Sequence, residues 1–158
     1  MTPSPATAAV RVRRAELSDL DDLVSLEQAT FDSDRISRAQ FRRHLDSDSA
    51  RVLVASANHR RFLGTAMVFF RKGSRMARLY SIASLPEARG KGVGTALIEA
   101  AEAAALQRRC QVLRLEVRTD NESAIRLYER LGYRRIGPIE KRFYEDGSDA
   151  FRYEKALI

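Results

Sequence analysis

Between residues 89 and 95 the chain reads Arg89-Gly90-Lys91-Gly92-Val93-Gly94-Thr95. Three glycines at alternate positions let a backbone turn tightly, take positive φ and come close to a ligand. Arg89 and Lys91 add two cations. The following stretch, Gly92 to Arg108, carries Val93, Ala96, Leu97, Ala100 and Ala104 as the apolar stripe of a helix. A helix start presents free N–H groups and a positive dipole end. Together these features make a cradle for a phosphate or pyrophosphate. The loop is not a Walker loop, which needs four residues between its first glycine and Gly-Lys-[Ser/Thr]. A dinucleotide fingerprint has its third glycine one residue later. Glu116, 22 residues past Gly94, stands where a ribose-binding acid would. That reading stays open, as does a glycine-rich turn that binds nothing.

Other chemistries are poorly supplied. One cysteine, Cys110, excludes an internal disulfide and fits a reducing cytoplasm. With only His44 and His59 beside it, no zinc site is expected, and no Ser-His-Asp set is visible. The 158 residues carry 28 basic and 21 acidic side chains, a formal charge of +7. The basic residues fall in scattered pairs, such as Arg13–Arg14, Arg60–Arg61 and Arg108–Arg109. Scattered pairs read as a solvated face, so nucleic-acid binding is not expected as the main function. No run approaches the ~18 apolar residues of a membrane span, and Met1 to Ala9 has no signal-like apolar core. Residues 1–9 read as a loose tail and 10–158 as one domain.

The elements that must position the loop follow from periodicity. Val10 to Ala15 predicts a strand. Ser18, with Asp21 three residues on, opens a helix to about Thr30, and Ser37 with Gln40 opens a second. Arg51 to Ser56, Phe62 to Arg71 and Ala77 to Ser84 read as an antiparallel meander. After the Gly92–Arg108 helix, Gln111 to Arg118 alternates cleanly, with Leu113, Leu115 and Val117 on one side and Glu116 on the other. Asn121 to Leu131 predicts a helix ending at Gly132. Tyr133 to Pro138 and Phe151 to Leu157 read as final strands. The order β-α-α-β-β-β-α-β-α-β-β is that of an α/β (α+β) protein with helices on both faces of a mixed sheet. The strands flanking the Gly92–Arg108 helix should be parallel.

Arg89-Gly90-Lys91-Gly92-Val93-Gly94 resembles the [Gln/Arg]-x-x-Gly-x-[Gly/Ala] signature of the GCN5-related N-acetyltransferases. The stretch Leu79-Tyr80-Ser81-Ile82-Ala83-Ser84 is similar to that family's cofactor strand. Asn121, Ala124, Leu127, Tyr128, Leu131, Gly132 and Tyr133 are similar to its later motif. From about Ile82 to Ala150 the chain also resembles bacterial ribosomal-protein alanine N-acetyltransferases. On the acceptor side it departs from them, with Phe31-Asp32-Ser33-Asp34 in place of a Phe-Pro-Trp-like stretch and with Ser84 where an apolar residue is usual.

The resemblance implies the fold of that family, with a mixed sheet of about six to seven strands, and acetyl-CoA as co-substrate. It implies binding of acetyl-CoA by Ile82, Ala83, Ser84, Arg89, Gly90, Lys91, Gly92, Val93, Gly94, Thr95 and Asn121, with no metal. The acceptor would be a peptide, a protein N-terminus such as that of a ribosomal protein, or a small amine, and the enzyme a monomer or homodimer. Acetyl transfer needs a base for the amine and an acid for the leaving thiolate. Glu116 is the candidate base; its plainer alternative is pairing with Arg114 or Arg118 on an exposed face. Tyr128, a phenol of pKa ~10, is the candidate acid; its alternative is a core tyrosine bonded elsewhere. Phe31, Asp32 and Tyr144 are candidate acceptor walls, and Asp32 and Asp34 would attract a cationic amine. The remaining alternatives are a small-molecule acetyltransferase and a binding module that holds acetyl-CoA without turnover.

Overall fold

In a computed structural model the chain is described over residues 9–58 and 61–158, so the expected tail lies, apart from Ala9, outside the described residues. The expected element order is present. It runs β1 (Arg11–Arg14), α1 (Leu20–Thr30), α2 (Arg38–Leu45), β2 (Ala50–Ala57), β3 (Arg61–Phe70), β4 (Met76–Ser84), α3 (Val93–Gln107), β5 (Val112–Arg118), α4 (Glu122–Arg130), β6 (Arg134–Glu140) and β7 (Ala150–Ala156). Single 3-10 turns precede α1 (Leu17–Asp19) and α3 (Pro86–Ala88).

All seven strands join one sheet in the order β1-β2-β3-β4-β5-β7-β6. β1 to β4 are the expected antiparallel meander, and β4 and β5 pair in parallel across the α3 crossover. The chain's last strand is not at the edge. β7 inserts between β5 and β6 and runs antiparallel to both.

Both faces are covered. Val52, Val54 and Met67 pack with Leu20, Leu23 and Phe41 beneath α1 and α2. Leu53, Ala55, Val68, Leu113 and Leu115 pack with Leu97, Ile98 and Ala101 of α3 and with Tyr128 of α4. Burial on both sides explains why β2 and β3 read as near-continuous apolar runs. Two caps match the sequence. Ser37 and Gln40 form a reciprocal capping box on α2, and Asn121 Oδ1 accepts from Ala124 N at 3.2 Å to cap α4. A third differs: the box before α1 is Glu16 with Asp19, not Ser18 with Asp21. Asp19 wins because its carboxylate also takes two bonds from Arg13, at 2.7 and 2.8 Å.

Two irregularities open the sheet where α3 begins. β4 pairs with β5 only from Met76↔Val112 to Leu79↔Leu115, although both strands continue past that point. In the β3–β4 ladder Leu79 opposes Val68 and Ser81 opposes Met67, so Tyr80 is an extra, bulged residue. A bulge bends its strand, and here the bend falls where β4 leaves β5. The result is a V-shaped gap whose β4 wall, Ser81 to Ser84, has no strand partner on the β5 side.

Candidate active site

The gap between β4 and β5 widens into a cavity of about 360 Å³. Its β4 wall is Leu79 to Ile82 and its β5 wall Glu116 to Arg118. Asn121, Ala124 and Tyr128 of α4 form the floor; Phe31, Ser33 and Asp34, with Phe143 and Tyr144, form the rim. Of the residues singled out in the sequence, Phe31, Ile82, Glu116, Asn121, Tyr128 and Tyr144 meet here.

Glu116 reaches the cavity because the period of two along β5 turns Leu113, Leu115 and Val117 into the α3 core and Glu116 to the other side. Its side chain is only 5% exposed. Neither neighbour expected from the sequence pairs with it. Arg78 donates to Oε1 through Nε at 2.8 Å and stands 2.7 Å from it through Nη2. Arg152 donates to Oε2 at 2.8 Å. Arg114 goes instead to Glu154, and Arg118 to Asp146. A buried charge needs such partners. A carboxylate has about four acceptor sites, so Oε2, with one donor, keeps a free one toward the cavity.

Tyr128 sits on α4 with its ring against Tyr133, centroids 6.0 Å apart. It is 5% exposed, and burial pushes its hydroxyl well above the ordinary tyrosine range. Its hydroxyl has no hydrogen-bond partner among the described residues, whereas Tyr133 donates to Glu102 at 2.7 Å and Tyr153 to Glu129 at 2.9 Å. The two core tyrosines are satisfied, and the one facing the cavity is not.

The glycine loop lies beyond the cavity, at the start of α3. Gly90 and Gly92 have φ of +80° and +79°, and a Cβ at either would meet nothing within 4 Å. The N–H groups of Gly92, Val93, Gly94 and Thr95 have no acceptor among the described residues; the first α3 bond from the loop is Ala96 N to Gly92 O. Four free donors at a helix start, flanked by exposed Arg89 and Lys91, fit a pyrophosphate. Gly94 serves packing, since a Cβ there would lie 3.0 Å from Leu127 Cδ2. Ala83 and Ser84 carry the β4 wall from the cavity toward this loop, with Ala83 itself buried. The unpaired backbone of that wall fits the extended arm of a CoA.

Asp32 stands beside the cavity rather than in its lining, in a shallow surface depression with Asp34, Glu145 and Asp146. Asp34 turns with φ +56°; it accepts from Glu145 N at 3.0 Å and donates its own N–H to Glu145 Oε1, which ties the two rim loops together. Several site residues went unnoticed in the sequence. Arg78 and Arg152 are visible only through pairings 38 and 36 residues apart, and the rim contacts of Arg118 only through pairings 28 and 85 residues apart. Glu27, on α1, lines the cavity at 3% exposure and accepts from Ile36 N at 2.9 Å. Burial raises its pKa.

Comparison with known proteins decides the affiliation. The model of the acetyltransferase (GNAT) family matches residues 18–133. The chain belongs to that family. It is an acyl-CoA-dependent N-acetyltransferase with the GNAT fold. N-alpha-acetyltransferase 30 of Schizosaccharomyces pombe is 42% identical over 72 residues, which span 46% of this chain and 47% of that relative. An N-alpha-acetyltransferase of Sulfurisphaera tokodaii is 28% identical over 152 residues, 89% of each chain. Among solved structures, the ribosomal-protein-S18-alanine N-acetyltransferase of Escherichia coli superposes with a TM-score of 0.79 and 26% identity, covering 94% of each chain. Among the described residues no helix is long and apolar enough to cross a membrane, and no cluster of three or more metal-ligating side chains occurs.

Proposed function

We propose that this GNAT enzyme acetylates the N-terminal amine of a protein or peptide, by direct attack in a ternary complex, with Glu116 as base and Tyr128 as acid. The observation that carries the reading is the pairing of these two residues in one cavity. One is a carboxylate with a free acceptor site; the other is a buried phenol with no partner. Glu116 Oε2 takes the proton of the incoming ammonium, directly or through one water. The freed amine forms its C–N bond to the acetyl carbon as the C–S bond breaks; Tyr128 gives its proton to the departing sulfur, and the second proton that the nitrogen sheds on becoming an amide returns to Tyr128. Arg78 and Arg152 hold the carboxylate in place while the amine enters.

Supporting an extended acceptor, the rim is built from two loops, Phe31 to Arg35 and Phe143 to Asp146, with aromatic side chains on both sides. Arg118 links them: it donates to Ser33 Oγ at 3.0 Å and to Asp146 at 2.9 and 3.1 Å, and lies 4.2 Å over the Tyr144 ring. The N-alpha-acetyltransferases among the relatives and the ribosomal-protein-S18-alanine N-acetyltransferase among the similar structures support this reading. A small polycationic amine is the second reading, favoured by the acidic depression of Asp32, Asp34, Glu145 and Asp146 beside the cavity. Residues 10–158 act as one domain in either case, and buried, unpaired Cys110 fits the cytoplasm.

The test is CoA release with peptides of varied N-termini beside a panel of polyamines, aminoglycosides and amino acids. Peptides should give the higher kcat/KM. Turnover of the free amines alone would transfer the assignment to the second reading, and acetyl-CoA binding without any turnover would make the protein a sensor.

A further inference from the structure

The arginines that look scattered in the sequence converge at the end of the molecule opposite the active site. α3 runs from the glycine loop to Gln107, about 22 Å at the usual helical rise. At its far end Arg108 lies 4.4 Å over the Phe70 ring and donates to the carbonyl of Asp48. Arg51 stands near both Arg14 and Arg108, and burial together with these two cations holds it below the ordinary arginine range. The β3–β4 turn belongs to the same end, because Gln111 N donates to Arg75 O at 2.6 Å and Phe70 N to Ser49 O at 2.8 Å. That turn exposes Arg71, Lys72 and Arg75. Arg109 completes the set with φ +62°, at a post-helical position that glycine fills more cheaply.

None of these seven cations pairs with a carboxylate among the described residues. Elsewhere on the molecule the arginines divide: Arg13, Arg38, Arg78, Arg114, Arg118 and Arg152 each meet an acid within 3 Å, and others, such as Arg42, Arg43 and Arg135, meet none among the described residues; the pole stands out by gathering seven unpaired cations at one end. Asp46 and Asp48 stand in the segment whose Asp48 carbonyl Arg108 meets. The negative end of the α3 dipole accounts for Arg108 and Arg109, but not for a turn and two strands that gather five more. Leu106 and Ile158, next to the Leu157 whose N–H meets Gln111 O, are exposed large apolar side chains near it, so cations outnumber apolar anchors on this surface. Guanidiniums match phosphate oxygens with two parallel bonds, and no helix or ribbon projects there to read base edges. This is the pattern of backbone and shape recognition.

We propose that this pole is a docking surface for the phosphodiester backbone of a folded RNA, separate from the catalytic cavity. The docked enzyme would present its acceptor cavity away from the RNA.

The test uses the full chain and a labelled RNA hairpin, with binding followed by fluorescence anisotropy from low to physiological salt. R71E/K72E/R75E changes three exposed side chains of one turn whose hydrogen bonds are made by backbone; R71Q/K72Q/R75Q is the milder version should the first misfold. Each contact to phosphate contributes about 0.9 to the slope of log K against log salt. The triple variant should therefore lose about 2 to 3 in slope and at least tenfold in affinity. A matched variant on the other side, R126E/R130E/R134E, should keep both, and all should keep kcat/KM for a short peptide. The proposal is overturned by absence of binding at low salt, by equal losses in the two triple variants, by tighter binding of a DNA duplex, or by stronger binding of poly-glutamate. The binding readouts do not depend on the acceptor amine.

Discussion

Replacing Tyr128 by phenylalanine, beside the same change at Tyr133, separates catalysis from packing. Both rings are buried in one core, at 5% and 2% exposure, and face each other edge-on. Tyr133 donates at 2.7 Å to Glu102, which also holds Lys155 at 3.1 Å. A hydrogen bond to a charged group contributes about 1.5–3 kcal/mol. At 2–4 °C per kcal/mol for a chain of this size, Tyr133→Phe should lower Tm by roughly 3–12 °C and leave kcat near wild type. Tyr128 has no protein partner to lose, so Tyr128→Phe should hold Tm within about 2 °C, yet a missing general acid should lower kcat by about 10²-fold or more. That factor corresponds to about 2.7 kcal/mol of barrier. The assays are thermal melting by circular dichroism and CoA release at saturating substrates. The wild type supplies a pH check. Burial raises the Tyr128 pKa, so the acid stays protonated above pH ~10 and kcat should hold its alkaline plateau past that point. A Tyr128→Phe variant with wild-type kcat, or one that loses as much Tm as Tyr133→Phe, would refute the reasoning.

Glu116→Gln should lower the rate at neutral pH by about 10²-fold, with partial recovery in alkali as free amine accumulates. It should also lower stability by about 1–2 kcal/mol, because Arg78 and Arg152 lose their shared charge, a loss softened by their own partial exposure of 37% and 30%; unchanged melting would contradict the double pairing. Gly64→Ala should destabilise by about 1–3 kcal/mol and raise KM for acetyl-CoA, since the new Cβ would stand 2.6 Å from Ala83 O on the β4 wall; melting and acetyl-CoA titration check it. Glu27 has a raised pKa in the folded chain, so its contribution is full below the unfolded value and lost as pH rises through the folded one. Glu27→Gln keeps an acceptor for Ile36 N–H and should raise Tm at pH 7, with the gap closing toward pH 4; a lower Tm at pH 7 would contradict it.

What could be read beforehand was local. The glycine loop, the Ser37–Gln40 box and the Asn121 cap are set by residues three or four apart, and each stands as expected. The parallel β4–β5 pair follows from the handedness of a crossover. Glu116 shows where such reading ends. Its direction off β5 follows from alternation, but its partners lie 38 residues before it and 36 after it. They meet it because β4 and β7 flank β5, and β7's place inside β6 has no signature in periodicity. That Asp32 lines the neighbouring depression and not the cavity has a related reason: Asp34's left-handed turn and its bonds to Glu145 decide which loop residues face inward. The basic pole was illegible because its members come from four separate segments.

The position of β7 also bears on how the chain assembles. β5 and β6 are made first, yet neither can finish its pairing until β7, which starts 32 residues beyond the end of β5, is threaded between them. Until then the outer edge of β5 is open to any passing strand, the kind of edge that draws chains together. Arg114, Glu116 and Arg118 alternate along that strand, and charges on an open strand discourage such encounters. The carboxylate proposed to take a proton in the finished enzyme thus has an earlier task, guarding a half-built sheet, and Arg152 ends that vigil when it arrives.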